Sequence, residues 1–334
     1  MFVGICGGIC AGKRTVAQYL TDHHGFTHLH LQKTAQNGAS MPSADQHTFA
    51  HVDALVDFVT KRWRDRWVTT DIHDEDVLDI LERRPFFILI SVDAPVSVRW
   101  RRCQQMRLSQ EGKSISPPGD PTLEDFLLRS DEHLYSPTSG LLPLISRATI
   151  RLLNTSSDLA HLYATLGKLD LTNEDRLRPS WDQYFMQLAS LAAQRSNCMK
   201  RRVGCVLVRQ KRVISTGYNG TPRGLRNCAE GGCPRCNAAQ GSGVGLGTCL
   251  CLHAEENALL EAGRERIREG AILYCDTCPC LTCSIKITQV GVSEVVYNQG
   301  YSMDGETAAV FKEAGVHLRQ FSPVSAVLQR IPAL

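Results

Sequence analysis

The stretch that decides the fold runs from His253-Ala-Glu-Glu-Asn-Ala258, through Ala271-Ile-Leu-Tyr-Cys275, to Thr277-Cys-Pro-Cys-Leu-Thr-Cys283. It reads as a helix over 254–268, a short apolar strand over 271–275 and a second helix over 280–290. Pro279 suits the head of that second helix, where its missing N–H costs nothing. Alternation of helix and strand in this order implies an α/β layered architecture. Both ends of the stretch place metal-ligating side chains at the head of a helix.

His253, Cys280 and Cys283 supply one imidazole and two thiols. Cys280 and Cys283 are three residues apart, so their sulfurs leave one face of the first helical turn. Zinc prefers neutral imidazole and thiolate in a tetrahedron, and a catalytic zinc keeps its fourth position for water. A helix N-terminus favours the thiolate forms. Glu255, two residues beyond His253, is placed to act as general acid and base without occupying the metal. A lone Cys-x-x-Cys could be a structural knuckle or a redox pair, and a lone His-x-Glu carries little. Together and in this order they form the signature of zinc nucleobase deaminases, which attack a ring carbon with hydroxide and release ammonia. Histidine is scarce here: after residue 161 only His253 and His317 occur.

The chain has 334 residues, which favours two domains. Its composition, 43% hydrophobic and 21% charged, is that of a globular protein. A net charge of +3 without a long Lys/Arg run is compatible with small anionic substrates and argues against a polynucleotide partner. The N-terminus lacks a signal-peptide pattern, and no apolar run reaches the roughly 18 residues of a membrane span. A cytoplasmic or nuclear location is expected. Of 14 cysteines, eleven lie between Cys198 and Cys283, which points to metal or reduced thiols rather than disulfides.

The polar run Asp170-Leu-Thr-Asn-Glu-Asp-Arg-Leu-Arg-Pro179 sets the expected boundary: a first domain over 1–170, a linker over 171–178 and a second domain over 179–323. In the second domain a helix is expected over 180–196, strands over 204–208 and 213–217, and a Gly/Cys-rich loop over 219–250. The run Gly241-Ser-Gly-Val-Gly-Leu-Gly247 follows no strand and opens no helix, so it is a loop and not a dinucleotide fingerprint. Beyond the deciding stretch, a strand over 294–297, a helix over 305–314 and a strand over 317–321 complete a three-layer α/β/α domain.

Six blocks make this domain resemble the fungal-type deoxycytidylate deaminases: Arg178-Pro-Ser-Trp-Asp182, Arg202-Val-Gly-Cys-Val206, Gly217-Tyr-Asn-Gly-Thr-Pro222, His253-Ala-Glu-Glu-Asn-Ala258, Thr277-Cys-Pro-Cys-Leu-Thr-Cys283 and Glu294-Val-Val-Tyr297. The resemblance implies hydrolytic deamination of dCMP to dUMP. It implies that Asn219 bonds the nucleotide, that Tyr301 packs near the base and that Arg264 lies near the phosphate. It also implies a cyclic homo-oligomer, a hexamer, activated by dCTP and inhibited by dTTP near the Gly217–Gly220 loop. A second, structural zinc is implied on Cys198, Cys228 and Cys251, with one of Cys233, Cys236 or Cys249 as fourth ligand. Two other readings compete: a deaminase-fold nucleotide sensor or scaffold, which has no need of Glu255, and a deaminase of tRNA or single-stranded DNA, which the mild charge disfavours.

The first domain opens with an apolar strand, then Gly7-Gly-Ile-Cys-Ala-Gly12-Lys13, then a helix, which is the context of a phosphate-binding P-loop. Backbone N–H groups and Lys13 suit phosphates. Arg14, however, stands where Ser or Thr should hold Mg²⁺, and Thr15 is one place late. With the strand Phe86–Val92, Asp93-Ala-Pro95 and the basic Arg99-Trp-Arg-Arg102, this part resembles dephospho-coenzyme A kinase and nucleotide kinases. A P-loop NTPase/kinase-like α/β fold is expected, without kinase activity, because phosphoryl transfer depends on metal positioning.

Overall fold

The computed structural model describes residues 1–32, 47–108, 122–156, 158–238, 241, 244–300, 304–322 and 329–331. It divides into two units, Met1–Arg178 with the C-terminal strand, and a second unit that begins at Pro179. Among the described residues no helix is long and apolar enough to cross a membrane.

In chain order the first unit contains β1 (Phe2–Gly7), α1 (Lys13–His24), β2 (Thr27–His28), β3 (His30–Leu31), β4 (Thr48–Phe49), α2 (Val52–Lys61), β5 (Trp67–Thr69), α3 (Glu75–Glu82), β6 (Phe87–Asp93), α4 (Val96–Leu108), α5 (Leu123–Tyr135), α6 (Leu142–Arg147), β7 (Ile150–Asn154) and α7 (Leu159–Leu169). The main sheet is parallel, in the order β13-β7-β6-β1-β5-β2, where β13 is Gln329–Ile331. β1 and β6 are buried along nearly their whole length, with one apolar cluster around Leu20, Leu162 and Leu166 and another around Leu55, Leu78 and Leu144. Burial on both faces explains their continuous apolar runs.

Two expectations about the boundary need correcting. Residues 171–178 are not a linker: Leu171 is 1% exposed in the first core, Leu177 packs against it, and Arg176 donates to the carbonyls of Leu169 and Asp170. Two leucines anchor a segment that is otherwise polar, and that polarity concealed them. The chain also returns to the first unit after residue 323, where Gln329–Ile331 pairs in parallel with β7. Three residues, two of them polar, are too few to show a strand period.

The second unit contains α8 (Trp181–Ala193), β8 (Gly204–Arg209), β9 (Arg212–Tyr218), α9 (Pro234–Asn237), α10 (Ala254–Ala262), β10 (Ala271–Thr277), α11 (Leu281–Val290), β11 (Glu294–Gln299), α12 (Asp304–Glu313) and β12 (His317–Gln320). Its sheet runs β12-β11-β10-β8-β9; β10, β11 and β12 are parallel, whereas β8 is antiparallel to β10 and β9. Phe185, Met186 and Ala189 of α8 pack on one face against Val206, Tyr274 and Val296. On the other face Ala258, Ile287 and Phe311, from α10, α11 and α12, pack against Leu207, Leu273 and Val295. Three layers follow, α/β/α. Helix α10 ends at Ala262, short of the expected 268, because Gly263 takes φ +66° and the chain continues as the single turn Arg264–Arg266.

A candidate metal centre with a buried carboxylate

His253 caps α10 and Cys280 caps α11, with Cys283 one turn into α11. The two helices stand side by side on the sheet, so their N-termini bring the three ligands together. His253 Nδ1 lies 3.4 Å from Cys280 Sγ and 3.3 Å from Cys283 Sγ. A tetrahedral zinc with bonds of about 2.1 Å to nitrogen and 2.3 Å to sulfur needs N···S edges of about 3.6 Å. The donor set and its spacing therefore fit zinc, with imidazole Nδ1 as the nitrogen ligand.

The electrostatics agree. Cys280 is drawn down to about 3, first by its hydrogen bond with Cys283 and then by those with His253 and Thr282. The bond with Cys280 in turn pushes Cys283 up and raises His253 to about 9. A thiolate beside an imidazolium is a site in which a cation can replace the proton. Glu255 is 4% exposed, and burial raises its carboxyl to about 7. A carboxyl near neutrality both takes and returns a proton at little cost.

Several neighbours hold this geometry. Glu256, in the first turn of α10, pairs with Lys286 of α11, which ties the two ligand-bearing helices together. Burial pushes Glu256 up, but Lys286 and the His253 N–H outweigh it and bring it down. Asn257 Nδ2 donates to Tyr218 O at 2.9 Å and Ser215 Oγ to Ala258 O at 2.7 Å, fixing α10 on β9. Thr307 Oγ1, fully buried, donates to Pro279 O at 2.9 Å and steadies the turn before Cys280. Sequence reading gave Glu256, Asn257 and Thr307 no role. The first two stand inside the His253–Ala258 block, three and four residues after the ligand, which was the available signal.

The family model for the cytidine and deoxycytidylate deaminase zinc-binding region matches residues 179–299. The deoxycytidylate deaminase of Schizosaccharomyces pombe is 50% identical over 322 residues, covering 96% of this chain and 97% of its own. That of Saccharomyces cerevisiae is 44% identical over 332 residues, with the same coverage. The chain belongs to the deoxycytidylate deaminase family. A family member from Mycobacterium phage D29 is 45% identical over 125 residues, 36% of this chain and 95% of its own length.

Within this family frame the remaining expected residues fall out unequally. Asn219 is 9% exposed at the end of β9; its Oδ1 accepts from Val203 N at 2.8 Å and its Nδ2 donates to Arg201 O at 2.7 Å. It braces the 201–203 loop. Arg264 is not brought to the metal ligands. It is exposed beyond the C-terminus of α10, and that nine-residue helix puts roughly 13 Å between it and His253. Tyr301 lies outside the described residues. Cys198, Cys228, Cys233, Cys236, Cys249 and Cys251 all converge, so more than a single fourth ligand is on offer.

In the first unit Gly7, Cys10 and Gly12 take positive φ, and a Cβ at Gly7 would stand 1.9 Å from Val92 O. Lys13 Nζ donates to Gly7 O at 2.7 Å and Gly8 O at 3.0 Å, and burial pulls its pKa down. Arg102 and Asn154 both donate to Ala11 O. Arg99 is buried on Ala94 O and Ser130 Oγ beside the same loop.

Proposed function

We propose that the second unit carries out the hydrolytic deamination of dCMP to dUMP with release of ammonia. The observation that carries this reading is one buried carboxylate, Glu255, two residues from His253 in a site with two cysteine side chains. His253 Nδ1, Cys280 Sγ and Cys283 Sγ would hold the zinc. Zinc, when bound, makes water acidic enough to act as a hydroxide nucleophile near pH 7. Glu255 would accept a first proton from the water and pass it to the ring nitrogen N3 as hydroxide adds to C4; it would then take the second proton from the C4 hydroxyl and give it to the departing amine, leaving the carbonyl of dUMP. Ammonia release from dCMP by the zinc-loaded protein, set against dCTP, cytidine and single-stranded DNA, tests the substrate. Turnover of the DNA instead would favour a polynucleotide deaminase, and turnover of none a sensor.

The family relation supports four further parts of this reading. They are activation by dCTP and inhibition by dTTP near the Gly217–Gly220 loop, a homohexamer, Asn219 as a nucleotide contact, and Tyr301 near the base. Reduced thiols suit a cytoplasmic or nuclear location. The first unit reads as a P-loop kinase-like domain without kinase activity. Its support is the parallel sheet with β1 inside it, a left-handed glycine at the head of α1, and Lys13 folded onto the loop. With Arg14 in the place of the Mg²⁺-binding hydroxyl, full-length protein should release no phosphate from ATP above a Lys13→Ala background.

A further inference from the structure

Between β9 and α10 the chain makes a long excursion with little apolar material, and one buried cluster holds it. Among the described residues that cluster consists of cysteines alone: Cys228, Cys233, Cys236 and Cys251 buried, Cys198 and Cys249 partly so. Six thiols are too small an apolar group to fix such a loop, whereas thiolate–metal bonds can do so.

The sulfurs fall into two overlapping sets of four. Cys198, Cys228, Cys236 and Cys251 form one set; Cys233, Cys236, Cys249 and Cys251 form the other; within each set all sulfurs lie within 4.8 Å of one another. Cys198–Cys236 is 3.8 Å, Cys236–Cys249 3.8 Å, Cys233–Cys249 3.9 Å and the shared pair Cys236–Cys251 4.0 Å. A tetrahedron with metal–sulfur bonds of about 2.3 Å has sulfur–sulfur edges of about 3.8 Å. A disulfide would need about 2.05 Å. The spacings are those of a ligand shell.

We propose that this loop holds a binuclear zinc–thiolate cluster in which Cys236 and Cys251 bridge two zinc ions. Cys198 and Cys228 complete one tetrahedron, and Cys233 and Cys249 complete the other. Two four-sulfur shells that share an edge need six cysteines, and all six are used. A single structural zinc would leave one buried and one partly buried thiol beside it without a partner metal. Because the shared pair supplies the bridging sulfurs, inorganic sulfide is not required, which separates this cluster from an iron–sulfur centre.

Six thiolates and two dications leave a net charge of −2, and the surroundings answer it. Arg235 is 7% exposed; its Nη1 donates to Cys249 Sγ at 3.7 Å while its Nε is fixed on Val244 O at 2.7 Å. The Met199 N–H donates to Cys228 Sγ at 3.4 Å. Asn237 Nδ2 donates to the carbonyls of Cys228 and Cys233 and reaches Cys228 Sγ at 3.9 Å.

The cluster has a structural consequence. Cys251 lies two residues before His253, and Leu252 between them exchanges backbone hydrogen bonds with Gly220, next to Asn219. Two zinc ions therefore fix the strand that delivers the imidazole ligand. The cluster shares no ligand with the site at His253 and does not rest on the deaminase reading.

Native mass spectrometry and elemental analysis of full-length protein, purified without added metal, test it. Three zinc ions per chain are expected in the wild type and two in a Cys280→Ser/Cys283→Ser variant. Cadmium-113 exchanged into the wild type should give two thiolate-only resonances that couple to each other through the bridging sulfurs. That measurement reads the intact protein, so it holds even if a variant fails to fold. Two zinc ions in the wild type, one zinc ion, iron with stoichiometric sulfide, or uncoupled cadmium signals would each overturn the bridged cluster.

Discussion

Gly217 lies directly beneath Ala254: a Cβ at 217 would stand 2.0 Å from the Ala254 carbonyl oxygen and 2.5 Å from the Ala258 nitrogen. The first turn of α10 rests on bare β9 backbone, and His253 and Glu255 flank the residue that makes the contact. Gly217→Ala must lift that turn. We expect a loss of about 1–3 kcal/mol of stability, as for other overpacked contacts, with a larger fractional loss of activity than of folded protein. Thermal unfolding beside kcat measurements on the same preparation would show whether the two separate.

Glu255 is the proton carrier of the proposed reaction, so Glu255→Gln should lower kcat by about a hundred- to ten-thousand-fold. The metal ligands are untouched, and zinc content should be unchanged. Burial raises the wild-type carboxyl to about 7. Below that value it is protonated and cannot accept a proton, so the rate should fall as pH drops. A bound dication draws the carboxyl down, which places the acid limb at or below pH 7. The residual rate of the Gln variant should lack this limb.

Asp182 of α8 accepts from Arg319 at 2.7 and 2.9 Å and from Tyr274 Oη at 2.8 Å, joining three elements of the second unit, α8, β10 and β12. The Arg319 hydrogen bond is the main cause of its lowered pKa. A carboxylate with a lowered folded pKa contributes stability above its ordinary value of 3.8, and that contribution is lost as pH falls below it. Asp182→Asn should cost about 1–3 kcal/mol at neutral pH and flatten the stability loss below pH 3.8. Unfolding midpoints from pH 2.5 to 7 read both effects, and zinc content should not change.

Asn219→Ala separates two roles. Loss of the bonds to Val203 and Arg201 should cost about 1–3 kcal/mol. If the side chain also contacts the nucleotide, KM for dCMP should rise at temperatures where the variant remains folded. Lower stability with an unchanged KM would leave Asn219 as a brace only.

The ligand set was legible because it depends on residue type and short spacing: imidazole, two thiols three apart, and a carboxylate two residues from the imidazole. The three-layer order followed from alternation of apolar runs. What escaped depends on contacts between distant segments. Gly217 and Thr307 act through packing against α10 and the Pro279 turn, which no local period reveals. Arg264 falls outside α10 because Gly263 ends that helix early, and a single glycine within a helical run is an ambiguous stop signal. The six cysteines were legible as a group, but their division into two sets that share Cys236 and Cys251 exists only in three dimensions.

The most direct test of the central claim is steady-state ammonia release from dCMP by wild-type and Glu255→Gln protein at matched zinc content. The account predicts turnover by the wild type and a fall of at least about a hundredfold in the variant. Equal rates in the two proteins, or no release of ammonia from dCMP by the zinc-loaded wild type, would contradict it.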